Sequence, residues 1–298
     1  MRVANAPISW GIMEHVEYPA DYPYTRVLDE MAQAGYRGTE LGPYGFLPAD
    51  AVQLRQELEK RSLTLCSAFV DIELGNAAAH PEGLAYVARS AKLISAAGAG
   101  LLILSDKITP ARNATAGRRA DANALAWTEA EWKAAVSAIG EVIAQCKAVG
   151  LRVAFHHHAG GHVETPEEVD RLFSLLPADQ LGLCLDTGHY VYAGGDAVAF
   201  LEKQVSRVWC VHLKDVNEQK AAEARRARMN FHEAVRHGIF APLGKGSIDF
   251  PRVLELLQKG RFEGWLVVEA DVLPGGAGAD APMANAISGR QYLRNMGI

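Results

Sequence analysis

Cysteine is scarce in this chain: Cys66, Cys146, Cys184 and Cys210 are the only four in 298 residues, and none are in CxxC spacing. That argues against a disulfide framework or a paired-cysteine zinc site, and it predicts a reducing compartment. Cys66, Cys184 and Cys210 lie in apolar strand-like runs, where cysteine acts as a small hydrophobe. Positive charge is also in deficit, with 30 Lys+Arg against 35 Asp+Glu and a formal net charge of −5. The one dense basic run, Lys220 to Arg228 (KAAEARRAR), includes Glu223 and reads as a solvated helix face. A nucleic-acid partner, which would call for a basic face, is therefore not expected. No apolar run is long enough to span a bilayer. The start, MRVANAPISWG, lacks the apolar core of a secretory signal. These absences predict a cytoplasmic protein that does not enter a membrane. A Gly-rich phosphate turn is missing too: ISWGIME follows the first strand where a dinucleotide-binding doubly wound sheet would carry GxGxxG.

What is present is an alternation. Hydrophobic residues make up 49% and charged residues 22%, enough apolar material for a large core and too little charge for disorder. Short β-rich apolar runs are predicted at residues 2–9, 38–41, 64–70, 100–104, 152–156, 181–185, 207–213 and 265–269. Helix-period segments separate them, at about 23–34, 49–61, 83–96, 128–149, 165–175, 196–202 and 251–259, with a last helix at 283–295. Gly35 reads as a helix stop, and Thr165, Pro166 and Glu168 as a capping box with proline in the first turn. Residues 107–124 read as an exposed loop, 217–247 as an insertion with helix, and PGGAGADAP (274–282) as a Gly/Ala loop. Eight strands alternating with helices predict an α/β fold, a single (β/α)8 barrel over residues 1–298.

Ionisable residues gather at the predicted strand ends, which in such barrels form the active face. Glu40, Asp71, Ser105-Asp106-Lys107, His156-His157-His158, Asp186 with His189, His212-Leu213-Lys214-Asp215, and Glu269 with Asp271 stand there, while Arg2, Arg37, Arg152 and Arg207 stand at strand starts. Imidazole and carboxylate together suit a divalent Mn, Co, Fe or Zn ion better than Mg. The spacings from His156 to Asp186, to His212 and to Glu269 are 30, 26 and 57 residues, roughly one βα unit each and longer across the insertion. Asp186 could instead cap the following helix, and Glu269 could be a rim charge. Alternation puts His156 and His158 on one face and His157 on the other. His189 is a candidate substrate contact, supporting donor or ligand. Lys214 is a candidate for stabilising an enolate or moving a proton, or else an ordinary ion-pair partner of Asp215. His162 either touches substrate or decorates a loop; Glu164 reads as a helix-start charge. Trp10 offers a flat wall for a sugar-like ring, or core packing.

The motifs LCLDTGHY, VHLKD and VVEAD, in that order, resemble the xylose isomerase-like barrel superfamily of sugar isomerases, epimerases and dehydratases. NAPISWG, ELGPYGF and HHHAGGHVETPEEVDRL narrow the likeness to the inosose (2-keto-myo-inositol) dehydratases. The resemblance implies metal ligands at Asp186, His212 and Glu269, with His156 standing where the superfamily has a strand-five Glu, and His158 as the alternative. Superfamily epimerases shuttle a proton between the strand-five and strand-eight Glu, and that pair is incomplete here. The expectation is therefore a metal-dependent lyase acting on a cyclic polyol ketone through an enediolate, with Glu269, Lys214 and His158 as catalytic candidates and Trp10, Glu40, His189 and His162 as substrate contacts. A sugar isomerase or ketose 3-epimerase, or a non-catalytic sugar-binding barrel, are the other readings. Relatives of this kind often form homo-oligomers.

Overall fold

The computed structural model describes residues 1–15, 17, 18, 20–273, 276 and 281–298; most of the 274–282 loop expected above lies outside the described residues. Eight parallel strands close a barrel: β1 (Arg2–Asn5), β2 (Gly38–Glu40), β3 (Thr64–Ile72), β4 (Leu101–Asp106), β5 (Arg152–His156), β6 (Leu181–Asp186), β7 (Val208–Leu213) and β10 (Trp265–Val268). The order round the barrel is β1-β10-β7-β6-β5-β4-β3-β2. A small antiparallel hairpin, β8 (Asp215–Val216) with β9 (Phe240–Ala241), stands apart from it. Among the described residues no helix is long and apolar enough to cross a membrane.

The barrel strands are near-continuous apolar runs because both faces are buried. The interior is filled by small side chains, among them Ala4, Cys66, Ile103, Ala154, Cys184, Cys210 and Val267. The larger core, with Val27, Leu28, Met31, Val169, Leu172, Leu254 and Leu257, lies between strands and helices. Thr165 caps Pro166–Leu175 with Glu168 answering in a capping box, and Gly35 ends Tyr24–Ala34 at φ +92°, a conformation open to glycine at little cost. At the strand starts Arg2 lies over Trp265 and Arg152 over Trp209.

Three sequence expectations are corrected. Strand β1 ends at Asn5, and Pro7–Trp10 turns into a 3-10 helix. Residues 107–124 are not an exposed loop; they hold the short helices Pro110–Thr115 and Arg119–Asn123. Their anchor is Arg112, which is fully buried and bidentate to Glu168 at 2.8 Å for both contacts, with its Nε donating to the Gly161 carbonyl at 2.7 Å. Glu164, 3.6 Å from the same guanidinium, accepts backbone N–H groups of Gly117 and Gly160, so it is a buried clamp on the loop after β5 rather than only a helix-start charge. Replacing Arg112 by Met would leave two carboxylates buried without their cation. The expected loss is about 3–5 kcal/mol, a fall in Tm on the order of 10 °C, read by thermal unfolding; an unchanged Tm would contradict the account.

The insertion builds the helices Glu218–Arg226 and Phe231–His237 and the β8–β9 hairpin. Part of its basic run is structural: Arg225 donates to the carbonyls of Gly117 and Tyr192. Phe231 and Phe240 bring their rings to 5.5 and 5.3 Å from the His189 ring, so the insertion roofs one side of the barrel mouth.

Candidate metal and proton-transfer site

The parallel register sets the site. Asp186 on β6 pairs across to His212 on β7, and Val268, the last residue of β10, pairs with Leu213, so Glu269 emerges beside them. His156 ends β5 opposite Cys184, two residues before Asp186. Four side chains therefore converge from four consecutive strands. His156 Nε2 lies 3.5 Å from Asp186 Oδ2, His212 Nδ1 lies 3.9 Å from that same oxygen, and His212 Nδ1 lies 3.2 Å from Glu269 Oε2.

Among the described residues the buried Asp186 Oδ2 and His212 Nδ1 make no hydrogen bond of good geometry, though the Lys214 ammonium lies 3.2 Å from Asp186 Oδ2. Ligands about 2.1 Å from one tetrahedral ion lie about 3.4 Å apart; His156, Asp186 and His212 offer atoms close enough together to hold a divalent ion, and Glu40, His212 and Glu269 form a second such group. Two imidazoles and two carboxylates suit Mn, Fe, Co or Zn. Both readings of Asp186 hold at once, since its Oδ1 accepts the His189 N–H as a helix cap at 2.8 Å while Oδ2 faces the cluster. Glu40 stands behind His212: its Oε1 is 3.1 Å from His212 Nε2 and accepts the Ser67 hydroxyl at 2.8 Å. A carboxylate on the far ring nitrogen fixes a ligating imidazole's orientation.

A cation already stands among the carboxylates. Lys214 Nζ is 3.2 Å from Asp186 Oδ2, 3.1 Å from Glu269 Oε2 and 2.6 Å from Asp271 Oδ1, and 3.0 Å from His189 Nε2. Burial alone would lower the Lys214 pKa, but Asp186, Asp271 and Glu269 outweigh it and hold the ammonium above the ordinary lysine range. Burial would likewise raise Glu269, yet His212 and Lys214 keep its carboxyl down at about 2. His158 and His189 are pushed well below the usual histidine value, first by burial, with the Lys214 ammonium the next cause for His189, so both are neutral. The His158 ring faces His189 with centroids 3.9 Å apart, and its Nδ1 sits 2.8 Å from the Ala159 carbonyl. That contact assigns the proton to Nδ1 and leaves a lone pair on Nε2. His157, as alternation predicts, turns the other way and packs on Tyr190.

The cavity above these groups has a volume of about 220 Å³ and is lined by Glu14, Glu40, Phe69, Asp71, His156, His158, His189, His212, Lys214, Glu269 and others. That is smaller than a drug-sized pocket and suits a compact polar molecule. Two expected substrate contacts lie outside its lining. Trp10 is 1% exposed in the core with its indole N–H on Glu30. His162 stacks on Trp127 at 5.1 Å and is held by Asp106 at 3.0 Å. Glu14, His15, Phe69 and His232 line the cavity without having been singled out in the sequence. Glu14 and His15 escape notice because a 3-10 turn separates them from β1, and His232 because it comes from the insertion.

Gly188 supplies a direct test of Lys214. A Cβ there would sit 2.7 Å from Lys214 Cγ and 2.8 Å from its Cβ. Gly188→Ala should displace the ammonium and lower kcat about 10²-fold while circular dichroism stays native; a full kcat would show that the lysine's placement is unimportant.

Residues 28–296 match the family described as Xylose isomerase-like TIM barrel. An inosose dehydratase of Clostridium perfringens is 31% identical over 294 residues, covering 99% of this chain and 97% of that protein. The rhizopine catabolism protein MocC of Rhizobium meliloti is 35% identical over 296 residues, covering 99% and 88%. Among solved structures, the IolI protein with a bound zinc atom superposes with TM-score 0.73 at 14% identity, covering 99% of this chain and 97% of that one. A probable 3-DHS dehydratase from Bacillus anthracis superposes with TM-score 0.72 at 13% identity, covering 99% of each.

Proposed function

Because the chain belongs to the xylose isomerase-like TIM-barrel family, we propose that this enzyme, of lyase or isomerase type, removes water from a cyclic polyol ketone of the inosose kind. The observation that supports this reading is that the cavity is lined both by a neutral His158, with a free Nε2 lone pair, and by a protonated Lys214. The inosose dehydratase of Clostridium perfringens, alike over its whole length, supports the substrate class.

His158 Nε2 takes the proton next to the carbonyl. A neutral imidazole is a competent base, and its depressed pKa keeps it unprotonated near neutrality. Negative charge then develops on the carbonyl oxygen, where the buried Lys214 ammonium stabilises it. Hydroxide leaves from the neighbouring carbon and a diketone or its enol results. His156, Asp186, His212 and Glu269 would hold a divalent ion, which supplies Lewis-acid stabilisation of the same developing oxyanion. Glu40 keeps His212 turned toward that set.

Purified protein supplied with Mn or Co and 2-keto-myo-inositol should lose water and form the diketone. No turnover with any divalent metal would overturn the assignment. Isomerisation or 3-epimerisation shares the first proton transfer, and the likeness of this fold to an L-ribulose 3-epimerase (TM-score 0.70, 14% identity) motivates testing it. Solvent deuterium entering recovered substrate without water loss would favour that reading.

A further inference from the structure

Elimination of hydroxide needs an acid as well as a base, and the wall facing His158 offers one. Glu14 follows the Pro7–Trp10 turn, is half-buried and lines the cavity. Its neighbours are acidic or neutral: Asp71 from β3, Glu40 from β2, Glu269 after β10, and the phenols of Tyr18 and Tyr86. The basic side chains near that wall are engaged elsewhere, His15 with Asp71 at 3.1 Å and Lys107 4.0 Å from Glu73. Among the described residues the Glu14 side chain makes no ion pair. Strands β1–β3 and strands β5–β7 are on opposite sides of the barrel. Glu14 follows β1, which lies opposite β5 in the barrel order, so it faces His158 across the cavity.

We propose that Glu14 is the group that hands a proton to the departing hydroxide, acting from the wall opposite His158. The inference rests on the dehydratase reading above. His158 Nε2 accepts the proton on carbon, and that C–H electron pair becomes the enediolate double bond. The enediolate oxygen then re-forms the carbonyl, its C=C pair moves onto the bond to the next carbon, and the C–O pair of that carbon goes to the departing oxygen, which takes the Glu14 proton and leaves as water, the product being the enol of the diketone. Glu14 ends as a carboxylate and is reprotonated from solvent, and His158 returns its proton to solvent, so one water is lost and no oxidant is used. Burial first and then Asp71 raise the Glu14 carboxyl to about 8, so it keeps its proton near neutrality, as an acid poised close to the working pH should.

The test compares wild type, Glu14→Gln and Glu14→Asp on two substrates: the inosose, and its analogue with fluoride in place of the leaving hydroxyl. Fluoride departs without being protonated. Glu14→Gln should lose about 10²–10⁴-fold in kcat on the inosose, stay within a few-fold of wild type on the fluoro analogue, and lose the basic limb of the kcat/KM profile near pH 8. Glu14→Asp should recover part of the rate. Equal losses on both substrates, or full activity on both, would overturn the proposal. Failure of the wild type on both substrates would overturn the dehydratase reading instead, and infrared difference spectroscopy then decides for Glu14. A protonated carboxyl C=O band at neutral pH that disappears in Glu14→Gln supports the assignment as a held acid, and no such band in wild type refutes it.

Discussion

Lys214→Met should cost the metal-free protein about 3–5 kcal/mol of stability and reduce turnover about 10²–10³-fold. The reason is local. Asp186, Glu269 and Asp271 stand within 3.2 Å of one ammonium, and all three are buried. Methionine keeps the aliphatic stem but removes the charge, leaving three buried carboxylates without their cation. A divalent ion would neutralise Asp186 and Glu269 in its place. Saturating Mn or Co should therefore restore most of the lost stability, up to about 4 kcal/mol at a thousandfold excess over Kd. Turnover should stay low, because the donor to the carbonyl oxygen is gone. Thermal unfolding with and without metal separates the two effects. A variant as stable as wild type without metal would show that these carboxylates do not depend on the lysine.

Asp186 allows a cleaner division. Its Oδ1 caps the helix Thr187–Tyr192 and its Oδ2 joins the cluster. Asn preserves the capping oxygen and removes the charge; Ala removes both. Asp186→Asn should lose more than about 10²-fold in metal affinity and its turnover with it. Asp186→Ala should pay about 1 kcal/mol more in stability for the missing cap. The readouts are metal titration and urea unfolding. Unaltered metal affinity in Asp186→Asn would place the ion elsewhere.

Much of this was visible in the sequence, because each candidate ligand ends a strand whose apolar run announces it. LGLCLD, VWCVHL and WLVV with its following Glu need only the parallel register to become neighbours. What escaped depended on distant partners. Arg112 is buried only because Glu168, 56 residues away, meets it, so its segment read as an exposed loop. Trp10 looked like a wall because its chain neighbours are polar or small, yet Glu30 draws its indole into the core. His162 is held away from the cavity by Asp106 and Trp127, which no spacing rule connects to it. Glu40 was expected as a substrate contact and does line the cavity, but its contact with His212, 172 residues on, was not legible. Asp186 had two readings, cap or ligand, because the sequence does not show that its two oxygens face different ways.

The most direct test of the central claim is the metal content of the purified protein after dialysis against Mn, Co or Zn, with anomalous diffraction from the loaded crystal. One ion per chain, bound by His156, Asp186, His212 and Glu269 and absent from Asp186→Asn, is the predicted result. A protein that stays free of metal at saturating concentrations, or an ion bound away from these four side chains, would contradict it.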